Sequence, residues 1–281
     1  MVDVANAYRQ CEQVIKYHSK TFYKAFSLLP EHKRKAVWAV YAFCRIVDDI
    51  VDEGSAPHEE LAFFEKEFHL FLNGKIPQGN YHFMWVALHD SFTHYDLNKD
   101  AFLDMIIGQR MDLVKTRYNT VEEVLTYSYH VASSVGLMLL PILAPNKVEE
   151  LREGAIALGL GMQLTNILRD IGDDLARDRI YLPRDLMDRY QYSEQNLQKG
   201  LMNQNFINLW EHLAKEAEQH YKKAMETMNE YPIYSRTPVK ASAVLYGEIL
   251  SKIRKKQYKV FDEKQYVSNE EKSIILSRIS G

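Results

Sequence analysis

The stretch AVWAVYAFCRIVDDIVDE, Ala36–Glu53, decides the fold. It is apolar nearly all round, and a helix of that kind belongs in the middle of a large bundle rather than on its surface. Yet Trp38, Tyr41, Arg45, Asp48 and Asp52 recur at steps of three and four residues, so they share one stripe. Charges on the interior stripe of a central helix are costly unless they are paired or bound to a metal. A second segment, Lys147–Arg177, repeats the design. Gln163, Asn166, Asp170 and Asp174 line one face there, while Leu164, Leu168, Ile171 and Leu175 form the neighbouring apolar face. Two carboxylates one helical turn apart, about 6 Å, repel by roughly 3 kcal/mol at an effective dielectric of 20. Such a ladder needs a cation.

Outward from these two segments the chain reads as helix throughout. The eight prolines (30, 57, 77, 141, 145, 183, 232 and 238) mostly fall between stretches of helical periodicity. Alternating strand patterns bounded by Asn-Gly or Asp-Gly turns are absent. The spacing predicts helices over Ala5–Leu28, Glu31–Glu53, His58–Leu72, Tyr81–His94, Lys99–Lys115, Val121–Leu143, Lys147–Arg177, Arg184–Met187, Ser193–Lys199, Gln204–Glu230, Ser235–Val260 and Glu270–Ser280. No low-complexity linker and no solenoid-length repeat divides them, so residues 1–281 are expected to form a single all-α domain.

Composition narrows the function. With 46% hydrophobic and 26% charged residues the chain is of ordinary globular type, and a net charge of −3 gives no basic field for nucleic acid. The two cysteines, Cys11 and Cys44, form no disulfide framework and no metal-type pair, which fits a reducing cytoplasm. The opening MVDVANAYRQ has no apolar run of a signal peptide, and the longest apolar stretch, near Val135–Ala144, falls short of the ~20 residues a bilayer demands. A peripheral membrane contact stays open.

The acidic stripes supply oxygen donors only: Asp48 and Asp52 on one helix, Asn166, Asp170 and Asp174 on the other. That set suits Mg²⁺, with Mn²⁺ as a substitute, because these ions take one or two carboxylates and complete their shells with water and substrate phosphate. The competing reading is a solvated acidic face or an ion-pair network, which would make the chain a non-catalytic, cation-binding helical module. Di-iron chemistry is excluded, since no histidine has a Glu three residues before it. GLGLGM, with Gly159 and Gly161, lacks the third glycine and preceding strand of a nucleotide loop and reads as close helix packing.

Taken together, HSKTFYKAF, YAFCRIVDDIVDE, TYSYHVASSVG, QLTNILRDIGDDLARDRIYLP and LYGEIL resemble the squalene/phytoene synthase family of head-to-head prenyltransferases, from about Tyr17 to Val267. The opening segment is most similar to bacterial dehydrosqualene (4,4'-diapophytoene) synthases. The resemblance implies a class I isoprenoid (terpenoid) synthase bundle around a central apolar channel. It also implies that two farnesyl diphosphates condense through presqualene diphosphate to dehydrosqualene, with Mg²⁺ and without NADPH, in carotenoid biosynthesis. The implied partners include a membrane surface or a carotenoid desaturase that takes the product.

Residue by residue, the resemblance implies metal-ligand roles for Asp48, Asp52, Asn166, Asp170 and Asp174. It implies diphosphate or substrate contacts for His18, Ser19, Lys20, Thr21, Tyr41, Arg45, Gln163, Arg169 and Tyr246. Tyr129 matches a tyrosine that assists ionisation or proton removal, and Asp112 an acid close to the cavity. Phe22, Phe26 and Trp38 match large residues that hold the channel to farnesyl length. Glu263 and Lys264 stand where phytoene synthases commonly carry two arginines, leaving Lys264 as the sole candidate contact from that segment. Asp173 is expected to point off the ladder. A phytoene synthase using geranylgeranyl diphosphate at the same site is the near alternative.

Overall fold

The computed structural model describes residues 3–280, and among them the regular structure is helical apart from one bridge between Arg117 and Ile180. The first predicted helix is two: α1 (Val4–His18) and α2 (Lys20–Phe26), divided at Ser19, whose side chain accepts from the Phe22 N–H and caps the second. Next come α3 (Glu31–Glu53), α4 (Pro57–Leu72, with proline in its first turn), α5 (His82–His94) and α6 (Lys99–Val114). In α3, 13 of 23 residues are buried, which makes it the central helix that its apolar girth predicts. Phe43 sits at its middle inside an aromatic cluster with Phe64, Phe68, Trp85 and Phe102.

The predicted helix Val121–Leu143 carries a wider turn. It consists of α7 (Val121–Ser128), a π-helical turn (Tyr129–Ser133) and α8 (Ser134–Leu143). The turn lies against Gly159, where an added Cβ would come within 2.5 Å of the Ser133 backbone. The glycine-rich GLGLGM stretch therefore does serve close packing. The second central helix follows as α9 (Val148–Arg169) and α10 (Ile171–Ala176), a break in what the sequence pattern reads as one helix. Its cause is tertiary. Trp210 Nε1 donates to the Leu168 carbonyl at 3.1 Å, while the Gly172 N–H turns to the Val260 carbonyl at 3.1 Å, so the i to i−4 bond between those residues is replaced from both sides. Gly172 is required there: a Cβ would stand 2.0 Å from the Phe261 carbonyl oxygen.

Two short helices, α11 (Arg184–Arg189) and α12 (Glu194–Gln198), lead to α13 (Gln204–Glu226), which lies along α9 and buries Trp210 with it. A 3₁₀ turn, Met228–Glu230, ends the predicted helix early, and α14 (Ile233–Lys255) and α15 (Asn269–Ser280) close the fold. The sequence pattern carries a helix on to Val260. The structure stops it at Lys255 because Gln257 and Tyr258 adopt left-handed backbone, φ 54° and 60°, and the chain then crosses to Gly172 without regular structure. Two apolar cores result, one around α3 and one around α9 and α13. No described helix is long and apolar enough to cross a membrane.

Candidate active site

A cavity of about 1210 Å³ lies between the two central helices. Arg45, Asp48 and Asp52 of α3 form one wall; Gln163, Asn166, Arg169, Asp170 and Asp174 of α9 and α10 form the other. His18, Ser19, Lys20 and Thr21, at the junction of α1 and α2, close a third side, and Lys264 and Lys272 a fourth. Gln163, Asn166 and Tyr246 also line a second, apolar cavity of about 190 Å³ that continues inward among Phe22, Phe26, Val135, Leu139 and Met162. A charged chamber thus opens into an apolar one.

The carboxylates are held by cations. Asp48 takes Arg45 at 2.9 Å and the Gln109 amide at 3.3 Å; Asp52 takes Arg179 at 2.6 Å and also Arg177. Asp170 accepts from Arg169 Nε at 2.8 Å and from Lys264 at 3.0 Å, and the same ammonium is 3.3 Å from Asp173. Asp173 therefore does belong to the cavity wall, contrary to its expected direction, because the break at Asp170 re-aims the following turn.

This pairing is incomplete. Burial, reinforced by Asp52 and Asp49, pushes Asp48 up to about 6 against the pull of Arg45. Burial, with Asp170 and Asp112 beside it, pushes Asp174 up to about 8. Burial acts on Asp170 as well, yet Arg169 and Lys264 hold it below the usual carboxylate range. Asn166 donates to Gln163 at 3.3 Å, but its own buried Oδ1 has no partner. An oxygen-only donor set with two hard-to-ionise acids and one orphaned carbonyl oxygen fits a hard divalent cation. Among the described residues no three acidic, histidine or cysteine side chains form a complete cage by themselves.

Three predicted residues lie elsewhere. Tyr129 lines neither cavity; its hydroxyl donates to Asp104 at 3.3 Å. Tyr127 takes the place at the wall. Residues two apart on a helix face nearly opposite ways, so only one of the pair can look inward. Tyr127 donates to the buried Asp112 at 2.7 Å, as does Tyr181, also at 2.7 Å, with the two rings stacked 5.0 Å apart. Burial raises the pKa of Asp112 while the two tyrosine donors oppose it. Tyr41 stands behind Phe22, ring centroids 6.5 Å apart, and Trp38 packs on Tyr23 and Arg34 in the core rather than on the channel. Phe22 and Phe26 do line the apolar chamber, stacked at 5.9 Å.

Arg177, Arg179 and Tyr181 are wall residues that sequence reasoning passed over, although ARDRIY follows the acidic ladder directly. Asp178 between the arginines has φ 56°, a left-handed turn that lets both reach Asp52. The available signal was an alternation of basic and acidic residues beside an excess of buried acid.

An all-helical fold with acidic walls facing each other across an amphipathic cavity defines a protein of the isoprenoid synthase type. The squalene/phytoene synthase profile matches residues 15–271, and the chain belongs to that family. It is similar to the 15-cis-phytoene synthase of Synechococcus elongatus, 36% identical over 281 residues, covering 95% of this chain and 90% of the relative. It is also similar to the farnesyl diphosphate phosphatase YisP of Bacillus subtilis, 35% identical over 279 residues, covering 99% of this chain and 100% of the relative. A solved dehydrosqualene synthase superposes with a TM-score of 0.92 at 37% identity, covering 99% of this chain and 96% of the other. Members of the family are prenyltransferase-type enzymes that condense isoprenyl diphosphates.

Proposed function

We propose that this chain condenses two farnesyl diphosphates head to head, through presqualene diphosphate, to dehydrosqualene. The observation that carries the reading is the two-chamber cavity: a cation-rich, acid-lined chamber fitted to diphosphate opens, at Gln163, Asn166 and Tyr246, into an apolar one fitted to a prenyl tail. Asp48, Asp52, Asn166, Asp170 and Asp174 would hold Mg²⁺, with Mn²⁺ as a substitute. That ion supplies Lewis-acid stabilisation of a departing diphosphate.

The chain's own groups divide the remaining work. Arg45, Arg169, Lys20 and Lys272 offset the negative charge of the diphosphate and orient it at the mouth of the apolar chamber. Ionisation of one farnesyl diphosphate breaks its C1–O bond and leaves an allylic cation. The 2,3-double bond of the second molecule attacks that carbon, and loss of a proton closes the cyclopropane of presqualene diphosphate. A second ionisation, rearrangement and proton loss give dehydrosqualene without a hydride donor. Phe22 stacks on Tyr246 at 5.3 Å and on Phe26, so aromatic faces border the junction where the cations form. The aliphatic lining of Val135, Leu139 and Met162 excludes water, which would otherwise quench them. A fifteen-carbon tail gains up to ~12 kcal/mol on full burial at ~0.8 per carbon, before ordering costs. The product has no polar group, so transfer at a membrane surface, to a bilayer or a carotenoid desaturase, completes the proposal.

Phe22 and Phe26 on the apolar wall, and the likeness to a dehydrosqualene synthase, support the thirty-carbon product. The similarity to YisP along its whole length favours one second reading, hydrolysis of a single farnesyl diphosphate. One experiment separates these. The protein receives farnesyl and geranylgeranyl diphosphates in competition with Mg²⁺, with and without a nicotinamide donor, and the products are analysed by mass. Dehydrosqualene in both arms is expected. Predominant phytoene would reassign the chain length, farnesol alone would replace condensation by hydrolysis, and squalene in the donor arm would restore a reduction. No release of pyrophosphate would leave a binding module.

A further inference from the structure

Asp170 has two cationic partners of different kinds. Arg169 is its chain neighbour on α9, 16% exposed, and grips both carboxylate oxygens, at 2.8 and 2.5 Å. Lys264 comes from the irregular stretch between α14 and α15, is 51% exposed, and reaches Asp170 at 3.0 Å and Asp173 at 3.3 Å. A planar, buried, bidentate guanidinium is a fixed partner, whereas a half-exposed ammonium on a flexible stem is an exchangeable one. Oxygen Oδ1 of Asp170 accepts from both. A divalent ion that uses this oxygen competes with the weaker of the two, which is Lys264.

Resting on the metal-site reading above, we infer that Lys264 is an exchangeable internal counter-ion of Asp170, which the metal displaces and which therefore sets how tightly the metal binds. The lysine holds the carboxylates in place by charge and surrenders Asp170 to a stronger cation. Its release removes the two ionic ties from this stretch to Asp170 and Asp173, while Val267, buried in the core around α9 and α13, keeps the second half of the stretch seated. The Gly172–Val260 hydrogen bond, which stays, anchors the first half. Metal occupancy is thereby coupled to the position of the Lys264 ammonium, which shares the cavity with Ser268 and Lys272.

The test is Mn²⁺ binding to the full chain without substrate, read from the electron paramagnetic resonance of free Mn²⁺, so that turnover plays no part. Lys264→Met removes the competitor and is expected to tighten Mn²⁺ about two- to fivefold, the scale of a partly exposed ion pair. Lys264→Arg keeps the charge and should stay at or below wild-type affinity. Unchanged or weaker binding by Lys264→Met overturns the inference. Asp170→Asn in the same titration separates the two claims. If wild-type binding is lost in Asp170→Asn, the metal site stands whatever Lys264 does. If Asp170→Asn binds as wild type does, the metal-site reading falls, and the role of Lys264 with it.

Discussion

Cation binding by this chain should release protons, and the structure sets how many. Burial and neighbouring carboxylates push Asp174 to about 8 and Asp48 to about 6. At pH 7 an acid with a pKa of about 8 is protonated in roughly nine molecules of ten, and one of about 6 in roughly one of ten. Divalent ions require both groups ionised, so binding at pH 7 expels about one proton. At pH 6 the release rises to about 1.5, and at pH 9 it falls to about 0.1. The affinity for Mg²⁺ therefore climbs about tenfold per pH unit between 6 and 8 and levels off above. Stability runs the other way. Both acids are raised above their unfolded value of 3.8, so the folded chain binds more protons than the unfolded one in that window. Without a cation, the contribution of these two acids to stability accordingly declines as pH rises from about 4 toward about 8. Calorimetric titration with Mg²⁺ in buffers of different ionisation enthalpy measures the proton count directly. Heat that does not depend on the buffer at pH 7 would refute the reasoning, because it would mean that both acids are already ionised or take no part.

Asp48→Asn and Asp170→Asn should each lower turnover about a thousandfold while circular dichroism stays wild-type; near-normal rates from either variant would contradict its role. Tyr127→Phe, which takes one donor from buried Asp112, should lower kcat/KM about tenfold, whereas Tyr129→Phe should stay within about twofold. Phe26→Ala should raise the use of geranylgeranyl relative to farnesyl diphosphate at least about tenfold, since five further carbons gain up to ~4 kcal/mol on burial. A melting curve guards that result, because a buried Phe to Ala change costs about 3–5 kcal/mol of stability.

The acidic walls were legible in the sequence because their periodicity is local: Asp48 and Asp52, like Asn166 and Asp170, are one turn apart whatever surrounds them. What escaped depends on contacts made from far along the chain. The break at Asp170 comes from Trp210 and Val260, some forty and ninety residues away, each taking one half of a helical hydrogen bond. Apart from Gly172, no pattern within Lys147–Arg177 announces it, and with it went the direction of Asp173. Tyr127 escaped for another reason: it shares one motif with Tyr129, and which of them faces the cavity depends on how α7 packs beside Asp112. Trp38 and Tyr41 share the stripe of Asp48, yet a stripe about four turns long outruns the cavity that its polar end lines. Ser19 is the opposite case, a capping residue in view within the polar run His18–Thr21, which could have been read as the boundary it is.

Diffraction from crystals grown with Mn²⁺ and an unreactive thio-analogue of farnesyl diphosphate would weigh the whole account at once. The account predicts anomalous peaks between the Asp48/Asp52 wall and the Asn166/Asp170/Asp174 wall, with the prenyl tail running past Tyr246 onto Phe22 and Phe26. Metal bound away from both walls, or a tail lying outside the apolar chamber, would contradict it.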